Sequence, residues 1–599
     1  MTRFVTEKGD FAERGPKVSG NDVLVSAVAD IGTVPAVELY SRKDRKKIAT
    51  VRFPKDSRVG SVYSMRIKDV DSENTLFRIR SGKKEYIDPY TRYISGNDRF
   101  GKRDAYGSFI CPRSSVSHRG PHIEWQDVIL YQLNVRSYTK DRTSGVKHPG
   151  TFDGLREKIP YMKKLGVTTL ILQPAYDFDE VGEVSMDGVR RLNLWGYVPG
   201  NYFVPKPSYA AADPAKEFMD LVEERHVNRM EIVMQLYFLP EHNLHFIQDV
   251  LRHWVMVYGV DGFELLGAEL PVKGIVDDPY MTDTKLIFND IDEDMIYGRS
   301  TPRVMNVGIA CSPFMYDMRK YLKGDEDMLG RVSKHMLYNP EKTAVINYIT
   351  TYLGFTLKDL VSYDRKHNEK NGEGGADGSD YNYSWNCGDE GNSRKKAVNS
   401  LRLRQMKNAM MLLILSQGVP MLRAGDEFCN SQKGNNNPWC QDNRISYLDW
   451  TEAEKNRDFL KFVIKLISVR RAHPVLHGRY SKKLYDYISC GVPDASYHGE
   501  QAWNQSFANY NRHFALMYAG YYEKRSDGKN DDSFYIAYNM HWTGHRFHPP
   551  KPAKGRRWEI LMSSGEGRES GIYDADRNEL AVYQRSIVIL MTKDAGSGK

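Results

Sequence analysis

The sequence predicts an α/β protein built on a (β/α)8 TIM barrel, flanked by an N-terminal and a C-terminal β-sandwich domain. Short apolar runs separated by Gly-rich and charged turns fill residues 22–110 and return after residue 476, which is typical of small sandwiches. Between them, strand-like apolar segments alternate with helix-like segments, which indicates parallel βα units. The alternation supplies eight candidate strands, the number that closes such a barrel.

These patterns place an N-terminal module at 1–115, the barrel at 122–476 and the C-terminal sandwich at 477–599. Residues 111–121, rich in Ser, Pro and Gly, predict a linker before the barrel. Amphipathic or apolar helices are expected at 154–165, 246–257 and 403–416. The eight barrel strands are expected at 128–135, 168–172, 231–237, 260–265, 285–288, 306–310, 344–350 and 419–422.

The composition excludes several classes of partner. Hydrophobic residues make up 41% and charged residues 27% of the 599, which is ordinary for a globular protein. The net charge of +8 is scattered, and the densest basic run, residues 42–47, has no interleaved aromatic residue, so no nucleic-acid partner is expected. The longest apolar run, 409–415, is too short to span a bilayer, so no membrane partner is expected.

Metal and targeting signals are equally sparse. None of the six cysteines sits in a C-x-x-C pair, so neither a zinc site nor a disulfide framework is predicted. His242 and His245 have H-x-x-H spacing but no evident third ligand. We therefore predict no metal and no cofactor. The first ten residues show no apolar signal segment, which favours a cytoplasmic location.

Three long stretches carry the most specific signal, namely 346–388, 415–443 and 470–475. They include Gly425-Asp426-Glu427-Phe428, Gly434-Asn435-Asn436-Asn437 and Arg470-Arg471-Ala472-His473-Pro474-Val475, and 130–136 and Trp195-Gly196-Tyr197 add weaker matches. From about residue 60 onward the chain resembles the isoamylase and glycogen-debranching, pullulanase-type branch of the α-amylase glycoside hydrolase superfamily. The resemblance implies a glycogen-binding-type N-terminal module and α-glucans (glycogen, starch, maltooligosaccharides) as ligands. It also implies structural roles for Asp426 and Glu427.

The residues that perform the family's chemistry are replaced. In that family the fourth strand reads Gly-Val-Asp-Gly-Phe-Arg-Phe-Asp, and its last Asp is the nucleophile. Here residues 259–263 match and the chemical positions do not. Gln235 replaces the third-strand Asp, Glu264 and Leu266 replace the fourth-strand Arg and nucleophile, Asn289 replaces the general acid, and Tyr352 and Leu353 replace the seventh-strand His and stabilising Asp.

Loss of hydrolase activity is the expected consequence. The family's retaining mechanism needs a carboxylate nucleophile and a carboxylic acid about 5–5.5 Å apart. Leucine cannot attack an anomeric carbon, and the asparagine amide has no proton to give a leaving oxygen. Only Pro240-Glu241-His242 stand between residue 239 and the next helix, so one wall of the cleft is expected to be short.

Three functions follow from these observations. The first is a non-catalytic isoamylase-like protein of α-glucan metabolism that binds branched glucan, pairs with an active debranching enzyme or forms a homo-oligomer. The second is an active α-1,6-glucosidase that uses relocated carboxylates, with Glu264, Asp290, Asp292 and Glu269 as candidates. The third is an interaction scaffold without sugar affinity. Because sugar rings stack on aromatic faces, the expected substrate-binding residues are Trp195, Tyr197, Trp385 and Trp439.

Overall fold

The centre of the protein is a closed barrel of eight parallel strands in chain order, with the first strand paired to the last. The computed structural model describes residues 4–30, 32–110 and 120–595, so the linker expected at 111–121 lies mostly outside the described residues. The predicted (β/α)8 barrel is confirmed. Its strands are β1 Leu130–Leu133, β2 Thr169–Leu172, β3 Glu231–Tyr237, β4 Gly262–Leu266, β5 Lys285–Asn289, β6 Val307–Ala310, β7 Ala344–Asn347 and β8 Val419–Arg423.

Helices surround the barrel and bury the outward faces of its strands. They are α1 Val135–Thr139, α2 Phe152–Arg156, α3 Ile159–Leu165, α4 Pro214–Val227, α5 Leu244–Tyr258, α6 Val272–Val276, α7 Glu293–Tyr297, α8 Ser312–Lys323, α9 Leu329–Leu337, α10 Leu357–Leu360, α11 Lys396–Leu415, α12 Thr451–Lys455 and α13 Arg457–Ala472. After β4 and β5 the covering helices α6 and α7 are each only five residues long. The barrel is therefore covered least on this side.

The interior of the barrel changes from apolar to polar along its axis. Near the N-terminal ends of the strands, Ile171, Val233 and Ile287 pack with Trp125, and Lys285 Nζ pairs with Glu231 Oε1 at 2.7 Å. Near the C-terminal ends the buried side chains are polar and include Gln235 and Glu264. Side chains alternate along each strand, so register alone aims these residues into the barrel.

Antiparallel sheets lie on both sides of the barrel in sequence. The N-terminal sheets contain Thr6–Lys8, Lys17–Ser19, Asp22–Val28, Arg58–Val59 and Val62–Ile67, and Ala36–Ser41, Lys47–Arg52, Thr75–Ser81, Lys84–Tyr86, Ile94–Ser95 and Tyr106–Ser108. The C-terminal sheets contain Ala495–His498, His513–Tyr518, Phe534–Asn539, Arg556–Ser563 and Ser586–Asp594, and His545–Phe547, Ile572–Asp574 and Glu579–Val582. Each pair of sheets encloses its own apolar cluster.

Two hairpins decorate the segment between β2 and β3. They pair Tyr176–Phe178 with Gly200–Pro205, and Val181–Val184 with Arg190–Leu192. In the described part of the chain, no helix combines the length and apolarity that crossing a bilayer requires.

Candidate active site

A chain of hydrogen bonds occupies the C-terminal end of the barrel interior, where barrel enzymes place their active sites. Gln235 on β3 lies opposite Glu264 on β4, and its Nε2 donates to Glu264 Oε2 at 2.7 Å. The Tyr197 hydroxyl donates to Gln235 Oε1 at 3.0 Å and accepts from Gln173 Nε2 at 3.0 Å. Glu264 is therefore the one carboxyl group in this series of hydrogen bonds, and the other members are amide and phenol groups.

Glu264 is buried, with 4% of its surface exposed. Burial raises the pKa of its carboxyl to about 7, and the hydrogen bond from Gln235 opposes that rise only in part. Among the residues that the structure describes, no arginine or lysine pairs with it. A carboxyl in this position holds its proton near neutral pH and has little surface to offer a substrate.

Leu266 and Asn289 end the neighbouring strands β4 and β5, as the sequence places them. Leu266 is half-buried and Asn289 is exposed. Both line a cavity of about 450 Å³ at the thinly covered side of the barrel. Its other lining residues are mostly apolar, namely Leu265, Gly267, Glu269, Leu270, Val272, Lys273, Ile291 and Met295. A mostly apolar pocket thus lies at the two strand ends where the resemblance leads us to expect a nucleophile and an acid.

Asp290, the carboxylate next to the acid position, is tied to the start of α8. It accepts hydrogen bonds from the Ser312 backbone N–H at 2.9 Å and from the Ser312 hydroxyl at 2.6 Å. Its φ of 49° ends the strand in the left-handed region. This carboxylate therefore satisfies a helix N-terminus.

The two seventh-strand replacements point in different directions. Tyr352 is buried, its hydroxyl accepts from the Asn134 backbone N–H at 3.1 Å, and the guanidinium of Arg423 lies 4.7 Å from its ring centre. Arg423 Nη1 also donates to Thr351 O at 2.9 Å and to Gly354 O at 3.1 Å. Leu353 is 65% exposed, so an aliphatic side chain faces solvent where the resemblance leads us to expect the stabilising Asp.

The four aromatic candidates do not form one surface. The Trp195 ring is 4% exposed and meets the Tyr197 ring edge-on at 5.9 Å, so it is packed and offers no free face. Trp439 is half-buried beside them, with its carbonyl accepting from the Leu194 N–H at 2.7 Å. Trp385 lies elsewhere, with Arg585 over its ring at 4.5 Å.

Two polar residues at this end were not singled out from the sequence. Gln173 directly follows the apolar strand β2, and Arg423 ends β8. A polar residue just after a buried barrel strand is the signal that would have found both.

The long matched stretches meet each other in an asparagine network. Asn368 Nδ2 donates to Asn436 Oδ1 at 2.8 Å, and Asn435 Nδ2 donates to Asn371 Oδ1 at 2.9 Å. Asn436 Nδ2 donates in turn to Asn382 Oδ1 at 2.8 Å. This network joins the loop after β7 to the loop after β8, and it gives these stretches a structural role.

Similarity to known proteins agrees with this architecture. No protein-family model matches the chain. Isoamylase 3, chloroplastic, of rice is 29% identical and the match covers 72% of this chain and 69% of that protein. Isoamylase 1, chloroplastic, of Arabidopsis thaliana is 27% identical over 78% of this chain and 76% of that protein. A glycogen operon protein GlgX homolog of Mycobacterium tuberculosis is 28% identical over 74% of this chain and 72% of that protein.

Solved structures share the fold. Pullulanase from Bacillus acidopullulyticus superposes with a TM-score of 0.67 and 17% identity, covering 98% of this chain and 75% of that chain. The catalytic module of the pneumococcal glycogen-degrading protein SpuA gives 0.70 and 14%, covering 99% of both chains.

The closed barrel with antiparallel sheets on both sides in sequence is the (β/α)8 architecture that this chain shares with the solved pullulanase structures. Over most of its length, the chain is similar in sequence to proteins of the isoamylase-type branch of the α-amylase superfamily, at 27–29% identity. The relatives named above are isoamylases and GlgX homologs, so the similarity points to an isoamylase or glycogen-debranching type of protein.

Proposed function

We propose that this chain is a non-catalytic isoamylase-like protein that binds branched α-glucan or pairs with an active debranching enzyme. One observation carries the proposal. The strand ends that would hold the nucleophile and the general acid present Leu266 and Asn289, and both line an apolar cavity.

The energetics of the reaction support a loss of catalysis. Glycosidases owe rate enhancements of many orders of magnitude to paired carboxyl groups and to groups that stabilise the charge of the transition state. Here Leu266 and Leu353 replace two carboxylates and Asn289 replaces the acid. Catalytic groups of this kind act together, so the loss of several of them leaves no working mechanism.

The position of the remaining carboxyl groups argues against relocated catalysis. Glu264 is buried beneath Gln235, and the carboxylate of Asp290 is engaged by Ser312. Neither group lines the cavity beside Leu266. Glu269 does, but it is an exposed loop residue, and the described lining holds no second carboxyl group to act as its acid partner. A substrate that reached Glu264 would have to displace the Tyr197–Gln235 hydrogen bond.

Some features still favour contact with glucan. Tyr197 and Trp439 are half-buried at the barrel mouth, and Tyr237 lies 6.5 Å from the Tyr197 ring. We propose these rings, with Trp195 packed beneath, as the glucan-contacting group. Trp385 serves as a natural comparison because Arg585 covers one of its faces.

Other features favour a protein partner. Leu353 and Met295 are 65% and 76% exposed, and the cavity beside Leu266 is mostly apolar. Single exposed apolar side chains are common on protein surfaces, so the stronger support is the mostly apolar cavity, which Met295 lines and which a partner's side chain could fill. The active debranching homologue is the partner that we propose, and a second copy of this chain is the alternative outcome.

Two experiments test the proposal. Affinity electrophoresis in glycogen gels and calorimetry with a maltooligosaccharide should show binding that Tyr197→Ala weakens and Trp385→Phe leaves intact. Co-purification with an active debranching enzyme should be lost in Leu353→Glu. If the protein were retained neither by glucan nor by the debranching enzyme, the proposal would be wrong. Pairing with other proteins in the absence of any glucan binding would favour the scaffold function instead.

A further inference from the structure

A cluster of two histidines and a glutamate lies in the C-terminal sandwich, far along the chain from the barrel residues discussed above. Glu500 follows the strand Ala495–His498, His513 begins His513–Tyr518, and His545 begins His545–Phe547. One ligand atom from each residue lies within 4.8 Å of the other two. These residues cannot be grouped from the sequence alone, because they come from three separate segments.

The contacts inside the cluster leave a nitrogen without a partner. The imidazole rings of His513 and His545 stack with centres 3.9 Å apart and planes inclined by 21°. His545 Nδ1 lies 2.8 Å from Glu500 Oε1. His513 Nδ1 is buried and has no hydrogen-bond partner. Buried polar atoms of native proteins are nearly always satisfied, so this nitrogen, which lies beside two other potential ligands, is available to a metal ion.

We propose that Glu500, His513 and His545 bind a divalent transition-metal ion of the zinc type. Imidazole nitrogens and a carboxylate oxygen are ligands that such ions prefer. With bonds of about 2.0–2.1 Å, tetrahedral ligand atoms stand roughly 3.3 Å apart, so ligand atoms now within 4.8 Å of one another must move closer and the stacked rings must rotate when the ion binds. Water or His541, whose ring centre lies 5.2 Å from that of His545, completes the coordination.

The surroundings suit a metal that is structural. His513 belongs to the five-stranded C-terminal sheet and His545 to the three-stranded one. A bound ion would therefore link the two sheets of the sandwich at one edge.

A second group of potential ligands shows what a satisfied cluster looks like. His473 Nδ1 already lies 2.7 Å from Asp531 Oδ1, and Asp531 Oδ2 accepts from the Val475 N–H at 3.0 Å. Asp532 pairs with Arg525 at 3.0 Å and also with Arg556. These carboxylates serve as a local ion-pair network, so we assign no metal there.

The test uses the full chain without a histidine tag, freed of metal by chelation. Calorimetric titration with zinc chloride should show one saturable site. His513→Ala and Glu500→Gln should each weaken binding at least about 10-fold, the usual minimum for losing a supporting group at a metal site. His245→Ala, which removes an exposed barrel histidine, is the matched control and should leave the affinity unchanged.

Cobalt substitution and thermal unfolding separate a lost ligand from a misfolded domain. Bound cobalt should give the visible absorption of a low-coordinate nitrogen and oxygen site. One equivalent of zinc should raise the melting temperature of the wild type and not that of Glu500→Gln, whose exposed side chain leaves the metal-free fold unchanged. The absence of saturable binding, or equal binding by His513→Ala and wild type, would overturn the assignment.

Discussion

Replacing Glu264 by Gln should stabilise the protein at alkaline pH and leave its stability nearly unchanged at acid pH. The carboxyl is buried, and among residues 4–30, 32–110 and 120–595 its one side-chain hydrogen bond comes from Gln235 Nε2. Glutamine has the shape of a protonated glutamic acid and stays neutral at every pH. The variant therefore imitates the state that burial already favours.

The magnitude follows from the shift in pKa. The folded carboxyl titrates near 7 instead of its usual 4.5. At about 1.4 kcal/mol per unit, this gap corresponds to about 3 kcal/mol of unfolding free energy. Because the folded pKa is raised, Glu264 carries no penalty below pH 4.5. The wild type loses stability as the pH rises from 4.5 through 7, and the loss is complete above that.

Urea unfolding of wild type and Glu264→Gln at pH 5 and pH 8.5, followed by tryptophan fluorescence, measures this effect. Asp426 and Glu427 also have raised pKa values, about 6 and about 7, but they are present in both proteins and cancel in the difference. Asp290→Asn, which alters an exposed carboxylate, should show no alkaline gain. A variant less stable than wild type at pH 8.5 would refute the picture of Glu264 as a buried acid that costs stability when ionised.

Three further predictions concern the barrel mouth and the loops around it. Leu266→Asp should lower the unfolding free energy by less than about 1 kcal/mol, because the side chain is half-buried at the barrel mouth. Leu265→Asp should lower it by several kcal/mol, because it buries a charge. Urea unfolding measures both changes. Leu266→Asp should also release no reducing ends from pullulan, since Asn289 still supplies no proton. Asn436→Ala should lower the unfolding free energy by about 2–3 kcal/mol by leaving buried partners unpaired, and the exposed Asn399→Ala should change it little.

The apolar pattern of the sequence predicted the bounds of a barrel strand well when nearly every residue of that strand is buried. β3 occupies the residues expected, 231–237. The first strand was expected at 128–135 and is shorter, because Asn134 accepts from the Ser137 N–H at 2.9 Å and starts α1. The helix expected at 154–165 is divided into α2 and α3, since Pro160 cannot donate the bond that a continuous helix requires. A capping side chain or a proline can therefore end or divide an element that the spacing of apolar residues predicts as continuous.

The candidate site was partly readable from the sequence. Strand alternation and register place Gln235 beside Glu264, and Leu266 and Asn289 at the strand ends, without knowledge of any loop. The position of Tyr197 beside Gln235 depends on the long segment between β2 and β3. That segment has no periodic pattern from which its path could be predicted. Trp385 lies in a stretch that resembles the family, but this did not reveal its contact with Arg585. Trp385 is therefore separate from the other three aromatic candidates.

The most direct test of the central claim is the rate at which the purified wild-type protein hydrolyses α-1,6 linkages in glycogen and pullulan. The replaced strand-end residues predict no release of reducing ends above that of a buffer blank, at any pH from 5 to 9. Turnover of about 1 s⁻¹ or more, in the usual range for enzymes, that disappears in Glu264→Gln would contradict the account and establish Glu264 as a working catalytic group.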